Sequence, residues 1–304
     1  MWRYVCLRLC AAVIPHLPSW AGHLWADFMG ETVYILARRC RKVVAENLRQ
    51  VFGADVDERT IVRWTRQTYR NLARNYYDLM RISRLSRQQL ERMVVFEGLD
   101  HYKAARSRGA GVVLASAHIG NLDLVTQAAG LIDMPMTVLA ERLYPQRMHD
   151  FVMGLRGDQG RSFEAAGARG VKAAFNVLGR GEFVGVATDR AIQGHGVVTE
   201  LFGEPALMPD GAAQLALRSG ASILPGYSIR MGRDRYLVRF EAPIHVAKNG
   251  HSPEQVKELT DRIINVMEGY IRAYPGQWMA FEDIWESRSA DRDTGVEQAV
   301  IKAA

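Results

Sequence analysis

The feature that most constrains this fold is a series of short, almost uncharged segments separated by longer stretches with helical patterning. These segments are residues 111–117, 136–140, 183–188, 222–225 and 236–240. Short apolar runs of this kind are typical of strands that are buried on both faces of a parallel sheet. Helices are expected between and after them, at 122–131, 145–157, 211–219 and 252–274. This alternation predicts an α/β fold with a mostly parallel central sheet flanked by helices.

The composition permits a large core and favours no metal or nucleic-acid chemistry. Of the 304 residues, 48% are hydrophobic and 24% are charged, which excludes wholesale disorder. The net charge of +6 is mild, so it permits an anionic partner, and no nucleic-acid partner is predicted. Cys6, Cys10 and Cys40 cannot form a disulfide scaffold and have no Cys/His set at zinc spacing beside them, so a reducing compartment and no metal site are expected.

The N-terminus has the composition of a segment that lies at a membrane interface. Residues 9–26 contain no Asp, Glu, Lys or Arg, which is close to the length of a membrane span. Pro15 and Pro18 interrupt the run, and a proline inside a helix costs about 3 kcal/mol, which argues against a span. Trp2, Trp20 and Trp25 suit interfacial anchors. The alternative is a helix pair that packs on the core with its arginines in solvent.

These patterns divide the chain into three parts. Residues 1–30 are predicted to be a helical membrane-docking segment, and the basic excess in the first 50 residues suits an anionic membrane surface. Residues 31–286 are predicted to form a single α/β domain that opens with helices at 31–51 and 58–82. Residues 287–304 are predicted to be a polar C-terminal tail.

Ionisable residues follow three successive predicted strands. His118 follows the first strand, Glu141 and Arg142 follow the second, and Asp189 and Arg190 follow the third. In a parallel sheet the carboxyl ends of the strands share one edge, where chemistry gathers. A single histidine after a strand is more often structural, but the coincidence of three such ends predicts an active site.

The segment around His118 predicts a general base. On one continuous helix, His118 and Asp123 would lie about 140° apart. If His118 lies on a strand-to-helix turn that Gly120 makes possible, Asp123 in the first turn of the helix can approach the imidazole. A carboxylate beside the ring would hold its tautomer and stabilise imidazolium. Asp123 and Glu141 both remain candidates for this partner.

The same segment carries a family resemblance. His-Ile-Gly-Asn-Leu-Asp at 118–123 resembles the His-x4-Asp/Glu signature of the glycerolipid acyltransferase superfamily, in the branch of lipid A late acyltransferases and phosphatidylinositol mannoside acyltransferases. Further segments of the resemblance lie at 46–53, 96–99, 187–190, 201–206, 209–212, 217–221 and 275–278. Many lipid A enzymes have Glu where this chain has Asp123 and Trp where it has Leu122, so the aspartate favours the mannoside type.

The resemblance implies transfer of a fatty acyl chain from a thioester to a hydroxyl of a membrane glycolipid. The donor would be acyl-CoA or an acyl-carrier protein, used as a co-substrate, with no bound cofactor. The enzyme would be peripheral or monotopic on the cytoplasmic face of the cytoplasmic membrane. The sequence has no Gly-x-Ser-x-Gly elbow and its cysteines are remote from the strand ends, so no covalent acyl-enzyme is expected.

Five residues are candidates for substrate binding. Arg142 and Arg156 suit the phosphates of the donor or of the lipid head, with solvated surface charge as the alternative. Asp189 and Arg190 are expected either to line the acceptor pocket or to form a buried structural pair. Gly211 opens a helix whose N–H groups could face a phosphate, although capping by Asp210 would also explain that start.

Two other functions remain possible at this point. A peripheral membrane-binding protein without catalysis would use the amphipathic N-terminus and would keep His118 and Glu141 for structure. A hydrolase would use the same base to activate water. Measuring acyl-CoA consumption with and without a glycolipid acceptor separates all three functions.

Overall fold

The computed structural model describes residues 2–82, 84–141, 143–156, 161–165, 167–191, 194–247 and 252–285, without the side chains of residues 2, 3, 5–7 and 161. The predicted tail at 287–304 and the candidate Arg142 therefore lie outside the described residues.

The helices predicted at 58–82, 145–157, 211–219 and 252–274 agree with the observed ones to within one residue at each end, whereas the helix predicted at 31–51 is divided at Ala37 between two helices. The observed helices are α1 Trp2–Val13, α2 Ser19–Leu36, α3 Arg38–Phe52, α4 Glu58–Ile82, α5 Arg87–Met93, α6 Leu99–Ser107, α7 Leu122–Ala128, α8 Gln146–Arg156, α9 Ala168–Gly179, α10 Gly211–Ser219 and α11 Pro253–Ala273. Helix α2 continues through position 30, where the sequence pattern placed a domain boundary, and ends at Leu36.

The strands build a mostly parallel sheet, as predicted. They are β1 Val94–Glu97, β2 Val112–Ser116, β3 Met136–Ala140, β4 Arg161–Ala165, β5 Phe183–Ala187, β6 Val197–Leu201, β7 Glu204–Met208, β8 Ser222–Arg230 and β9 Tyr236–Phe240. Within the described residues, the main sheet has seven strands in the order β1-β9-β8-β2-β5-β3-β4, and β6 and β7 form a separate antiparallel pair. Of the pairings in the main sheet, β8 with β9 is antiparallel and the others are parallel.

The central strands are buried on both faces, which explains their apolar sequences. Along β2, Leu114 packs in a cluster with α5, α6 and α7, whereas Val113 and Ala115 pack in a cluster with α9, α10 and α11. Successive strand residues point to opposite faces, so each helical layer covers one face of the sheet. With both faces covered, the ends of the strands are the places where polar side chains can reach solvent.

The N-terminal helices pack on the domain through α4. Helix α1 ends at Val13, ahead of Pro15, and α2 begins directly after Pro18, as the two prolines predict. Gly30 brings α2 close to α4, because a Cβ there would lie 2.7 Å from the Cα of Arg70. Arg74 on α4 donates to Asp27 on α2 over 2.6 Å. Within the described residues, no helix has the length and apolar character that a membrane span requires.

Asp234, in the turn between β8 and β9, ties α2 to the domain. Its carboxylate accepts from His23 Nε2 over 3.0 Å and makes short contacts with the Ser19 hydroxyl and the Arg81 guanidinium. Burial raises the pKa of this carboxyl, but the hydrogen bonds from His23 and Ser19 and the charge of Arg81 outweigh it, so the pKa lies well below its ordinary value. Asp234 therefore stabilises the fold in its ionised form.

We predict that Asp234→Asn lowers the free energy of unfolding at pH 7 and that this difference shrinks in acid. A carboxyl with a depressed folded-state pKa contributes stability above its unfolded pKa of about 4, and that contribution is lost as the pH falls through the folded-state value. Urea unfolding at a series of pH values from 7 downwards measures the difference. Asp100→Asn is the control, because the Asp100 side chain is 83% exposed. A difference that stays constant with pH would contradict the electrostatic role.

Candidate active site

His118 lies just beyond the end of β2, beside the end of β5. The parallel register pairs Ser116 with Ala187, and Thr188 N donates to the Ser116 carbonyl over 2.7 Å. His118 and Asp189 each lie two residues past the paired ends, so the register of the two strands brings them together. The site is therefore at the carboxyl edge of the sheet, as the sequence predicts.

Asp189 accepts hydrogen bonds from three donors. Its Oδ1 is 2.8 Å from His118 Nδ1, and its Oδ2 accepts from the backbone N of His118 and from Trp278 Nε1, each over 3.1 Å. The Asp189 side chain is 3% exposed, whereas that of His118 is 31% exposed. The carboxylate is thus a buried, fixed acceptor, and the imidazole extends from it towards the open edge.

The charges around Asp189 keep it ionised. Burial raises the pKa of the carboxyl, but the charge of His118, the hydrogen bonds from its ring and backbone N–H, and the charge of Arg190 outweigh burial and lower the pKa below its ordinary value. An ionised carboxylate only accepts hydrogen bonds, so Nδ1 of His118 carries a proton. When the ring is neutral, Nε2 carries the lone pair, which is the arrangement required for general-base chemistry.

The turn that carries His118 is fixed by backbone contacts. Gly120 has a φ of +64°, and a Cβ at this position would lie 1.7 Å from the carbonyl oxygen of Ser228, so only glycine fits. Gly120 N donates to the Gln277 carbonyl over 3.0 Å, and Met279 N donates to the His118 carbonyl over 2.8 Å. The segment after α11 therefore lies along the turn and holds it in place.

The structure corrects the predicted partner of the imidazole, because neither Asp123 nor Glu141 makes that hydrogen bond. Asp123 Oδ1 instead accepts from Arg156 Nε over 2.7 Å. Asp123 is in the first turn of α7 and Arg156 is in the last turn of α8, so this ion pair joins two helices. The reason for the difference is that the strand register presents Asp189 to Nδ1 directly.

Glu141 and Arg190 form a polar cluster at the same edge. Arg190 Nη2 donates to Glu141 Oε2 over 2.8 Å, and its Nη1 donates to Glu282 Oε1 over 2.5 Å. All three side chains are partly exposed, between 30% and 39%. Glu141 is therefore engaged in an ion pair and not in a contact with His118. Asp189 and Arg190 do not hydrogen-bond each other, and Arg190 acts on Asp189 through its charge.

Gly211 and Arg156, the remaining candidates for substrate binding, have no contact with His118 or Asp189 among those of the described residues. Gly211 is exposed and begins α10, and Asp210 precedes it without capping the helix through its side chain, which accepts from Gln214 Nε2 instead. Arg156 is engaged with Asp123, and its guanidinium also lies 5.0 Å from the centre of the Phe163 ring. Binding roles for Gly211 and Arg156 therefore stay predictions.

Sequence reasoning missed two residues that contact the site from the C-terminal segment. Trp278 is 1% exposed and supplies the indole N–H to Asp189, and Glu282 is the second carboxylate on Arg190. The segment 275–278 carries part of the family resemblance, but Trp278 was not predicted as a site residue. A sequence signal for both was the dense run of aromatic and acidic residues at 277–285.

Curated proteins similar to this chain are named as phosphatidylinositol mannoside acyltransferases. The protein from Mycobacterium tuberculosis (strain ATCC 25618 / H37Rv) is 29% identical over 229 residues, covering 71% of this chain and 70% of that protein. The protein from Mycolicibacterium smegmatis (strain ATCC 700084 / mc(2)155) is 26% identical over 257 residues, covering 81% and 79%.

A solved structure and a family description complete the comparison. The crystal structure of the 1-acyl-sn-glycerophosphate (LPA) acyltransferase PlsC from Thermotoga maritima aligns with a TM-score of 0.35 and 13% identity, covering 83% of this chain and 97% of that one. The sequence pattern of the family described as bacterial lipid A biosynthesis acyltransferase matches residues 2–287. With that match across nearly the whole chain, the protein with the His118–Asp189 pair belongs to the bacterial lipid A biosynthesis acyltransferase family and is an acyltransferase.

Proposed function

We propose that this acyltransferase moves a fatty acyl chain from a thioester donor, acyl-CoA or an acyl-carrier protein, to a hydroxyl of a membrane glycolipid of the phosphatidylinositol mannoside or lipid A precursor type. The observation that carries the proposal is the 2.8 Å contact between His118 Nδ1 and the buried carboxylate of Asp189. It leaves Nε2 of a partly exposed imidazole to act as the base. The names of the relatives support the glycolipid acceptor.

The proposed reaction is a direct transfer in one enzyme-bound complex. Nε2 of His118 removes the proton of the acceptor hydroxyl, and the oxygen attacks the thioester carbonyl carbon. The C–O ester bond forms, the C–S bond breaks, and the thiolate leaves with the proton that the imidazolium returns. Asp189 does not take part in bond making; it orients the ring and stabilises the imidazolium while it exists.

The polar cluster beside the base fits a polyhydroxylated acceptor. Carboxylate oxygens of Glu141 and Glu282 accept hydrogen bonds, and the Arg190 guanidinium donates them, so together they can bind sugar hydroxyls. Their partial exposure at the same edge as His118 supports contact with an approaching head group. Arg190 is therefore proposed to bind substrate as well as to act on Asp189 through its charge.

The exposed face of α2 supports docking on an anionic membrane. Trp20, Leu24, Phe28 and Ile35, called here the α2 stripe, share one face of the helix and are between 52% and 68% exposed. The opposite face of α2 is buried. We propose that the protein is peripheral on the cytoplasmic face of the cytoplasmic membrane and that the α2 stripe enters the interface. Trp25, predicted as an anchor, packs against an interior cluster instead, and the Trp2 side chain is not among the described residues.

We predict that His118→Ala lowers the turnover of acyl transfer by about 10² to 10⁴, which is the usual contribution of a general base. The assay follows thioester consumption in the presence and absence of glycolipid. His101→Ala is the matched control, because the His101 side chain contacts the Phe240 carbonyl on another part of the sheet. A folded His118→Ala protein with more than half of wild-type turnover would refute the base. Consumption without acceptor would indicate a hydrolase, and no consumption by wild type would indicate a membrane-binding protein.

We predict that Asp189→Asn costs more activity than Asp123→Asn or Glu141→Gln. An asparagine can turn its amide N–H towards Nδ1, which moves the ring proton to Nε2 and removes the base, so we expect a loss of about 10² to 10⁴. Asp123→Asn breaks the ion pair with Arg156, so its main effect is expected on the melting temperature. Glu141→Gln weakens the pair with Arg190 in the proposed head-group site, so its main effect is expected on the KM for the glycolipid. Equal rate losses in all three variants at unchanged melting temperature would contradict the assignment of Asp189.

We predict that Leu24→Glu with Phe28→Glu releases the protein from anionic vesicles. Point changes on the α2 stripe are preferable to truncation, because removing residues 1–26 would also remove Ser19 and His23 from Asp234. Val171→Glu is the control, since Val171 is exposed on α9. Co-sedimentation with anionic and with zwitterionic vesicles, at low and high salt, gives the readout. Undiminished sedimentation of the double variant would exclude the α2 stripe as the docking surface.

A further inference from the structure

A buried ionic cluster contacts the catalytic turn, residues 118–121, at Gly120 and Asn121. At its centre is Asp78 on α4, whose side chain is 2% exposed. Its Oδ1 accepts from Arg81 over 3.0 Å, and its Oδ2 accepts from Arg230 over 2.6 Å, from Asn121 over 3.0 Å and from the Tyr236 hydroxyl over a short contact. One carboxylate therefore gathers four side chains from α4, β8, β9 and the start of α7.

The cluster is balanced in charge. Arg81 also contacts the second carboxylate, Asp234, so two guanidiniums face two carboxylates. Removing a single partner from such a buried set leaves an uncompensated charge, while replacing the whole set with apolar side chains is often neutral for stability. A gain in stability is therefore a weak explanation for a cluster of this kind. A second explanation is that the cluster fixes the backbone it contacts.

The cluster holds the two residues that follow His118 and Ile119 in the catalytic turn. Asn121 donates its amide to Asp78 while its Oδ1 caps α7 by accepting from Leu124 N over 3.1 Å. Asn75, one turn before Asp78 on α4, donates its amide to the Gly120 carbonyl over 2.5 Å. The other end of Asn75, its Oδ1, accepts from Arg230 over 2.8 Å. Both ends of the Gly120–Asn121 step are thus tied to the same cluster.

Both backbone polar groups of Gly120 are hydrogen-bonded. On one side Gly120 N donates to the Gln277 carbonyl, and on the other side the Gly120 carbonyl accepts from Asn75. The Gln277 side chain bonds the backbone N and carbonyl of Arg230, over 2.8 and 3.0 Å, so the two sides meet on one residue of β8. The orientation of the His118 ring therefore has two determinants. Asp189 binds Nδ1, and the hydrogen bonds of Gly120 to Gln277 and Asn75 hold the backbone of the turn that carries the ring.

We propose that Asn75 and Asp78 are positioning residues for acyl transfer, which hold Gly120 and Asn121 so that Nε2 of His118 faces the acceptor hydroxyl. The inference rests on the proposed role of His118 as base. Asn75 and Asp78 hydrogen-bond the turn and the cluster, with no bond to His118 itself, so they act through the turn. Misplacing a reacting group by about 1 Å can cost on the order of 10² in rate.

Asn75→Ala is the decisive variant. It removes the amide hydrogen bond to the Gly120 carbonyl together with the Oδ1 acceptor of Arg230, and it leaves the Asp78–Arg230 ion pair in place, so the fold should survive. We expect kcat to fall by about 10- to 100-fold with the KM values for donor and glycolipid near those of the wild type. Hydrogen exchange measured by mass spectrometry should become faster in the peptide that covers 117–123 and stay unchanged in peptides from α4.

The matched control is Arg74→Gln, the neighbouring position on α4. Arg74 pairs with Asp27 on α2, so the variant removes a bond of α4 that does not reach the turn. We expect a normal kcat and normal exchange at 117–123. Tyr236→Phe is a second variant, which removes a donor from Asp78 without touching Gly120 or Asn121. We expect it to lower the melting temperature with little loss of kcat.

Asn75→Ala with wild-type kcat and wild-type exchange at 117–123 would overturn the proposal. A kcat loss in Asn75→Ala that Arg74→Gln reproduces would also overturn it, since the effect would then belong to α4 as a whole. Failure of the wild type to transfer an acyl group would count against the proposed function. The exchange measurement would then still decide whether Asn75 holds the turn.

Discussion

The hydrogen bond between His118 Nδ1 and Asp189 depends on the parallel pairing of β2 with β5. Because Ser116 is paired with Ala187, His118 and Asp189, each two residues further on, lie side by side beyond the ends of the two strands. A slip of one residue would turn the side chains to the other face, so the register is as important for this contact as the two residues. The register is in turn fixed by burial, since both strands are covered by helices on each face.

The sequence allowed the edge of the sheet to be predicted, but not the neighbours along it. Uncharged runs marked β2, β3 and β5, and both His118 and Asp189 were found at strand ends. Asp123 lies within the motif and Glu141 follows the next predicted strand, so both were candidates for the partner of the imidazole. In the folded sheet β5 lies between β2 and β3, so Asp189 comes from the adjacent strand and Glu141 from the strand beyond it. Strand order is a long-range property that local patterns do not contain.

Some of the features that sequence reasoning missed depend on polar contacts with residues that are distant in the chain. Strand β8 was expected to end near Pro225, yet it continues to Arg230, because Asp78 and Gln277 pair with that arginine's side chain and backbone. The short edge strands β1 and β4 contain charged residues and lacked the apolar signature. Trp278 and Asn75 act on the turn from 160 and 43 residues away along the chain from His118, which no local pattern reveals.

The pairing of charges around the site assigns each carboxylate a different task. Asp123 is neutralised by Arg156 and Glu141 by Arg190, whereas Asp189 receives its hydrogen bonds from an imidazole, a backbone N–H and an indole. Of these three carboxylates, Asp189 is the one that hydrogen-bonds a side chain able to accept a proton, the imidazole of His118. The same pairing limits phosphate binding, because a phosphate that approaches Arg156 must compete with Asp123 for one fork of donors. The ion pairs at this edge thus divide the residues into two sets. His118 and Asp189 form the proposed base and its partner, and the paired arginines and carboxylates are the groups that can bind a head group.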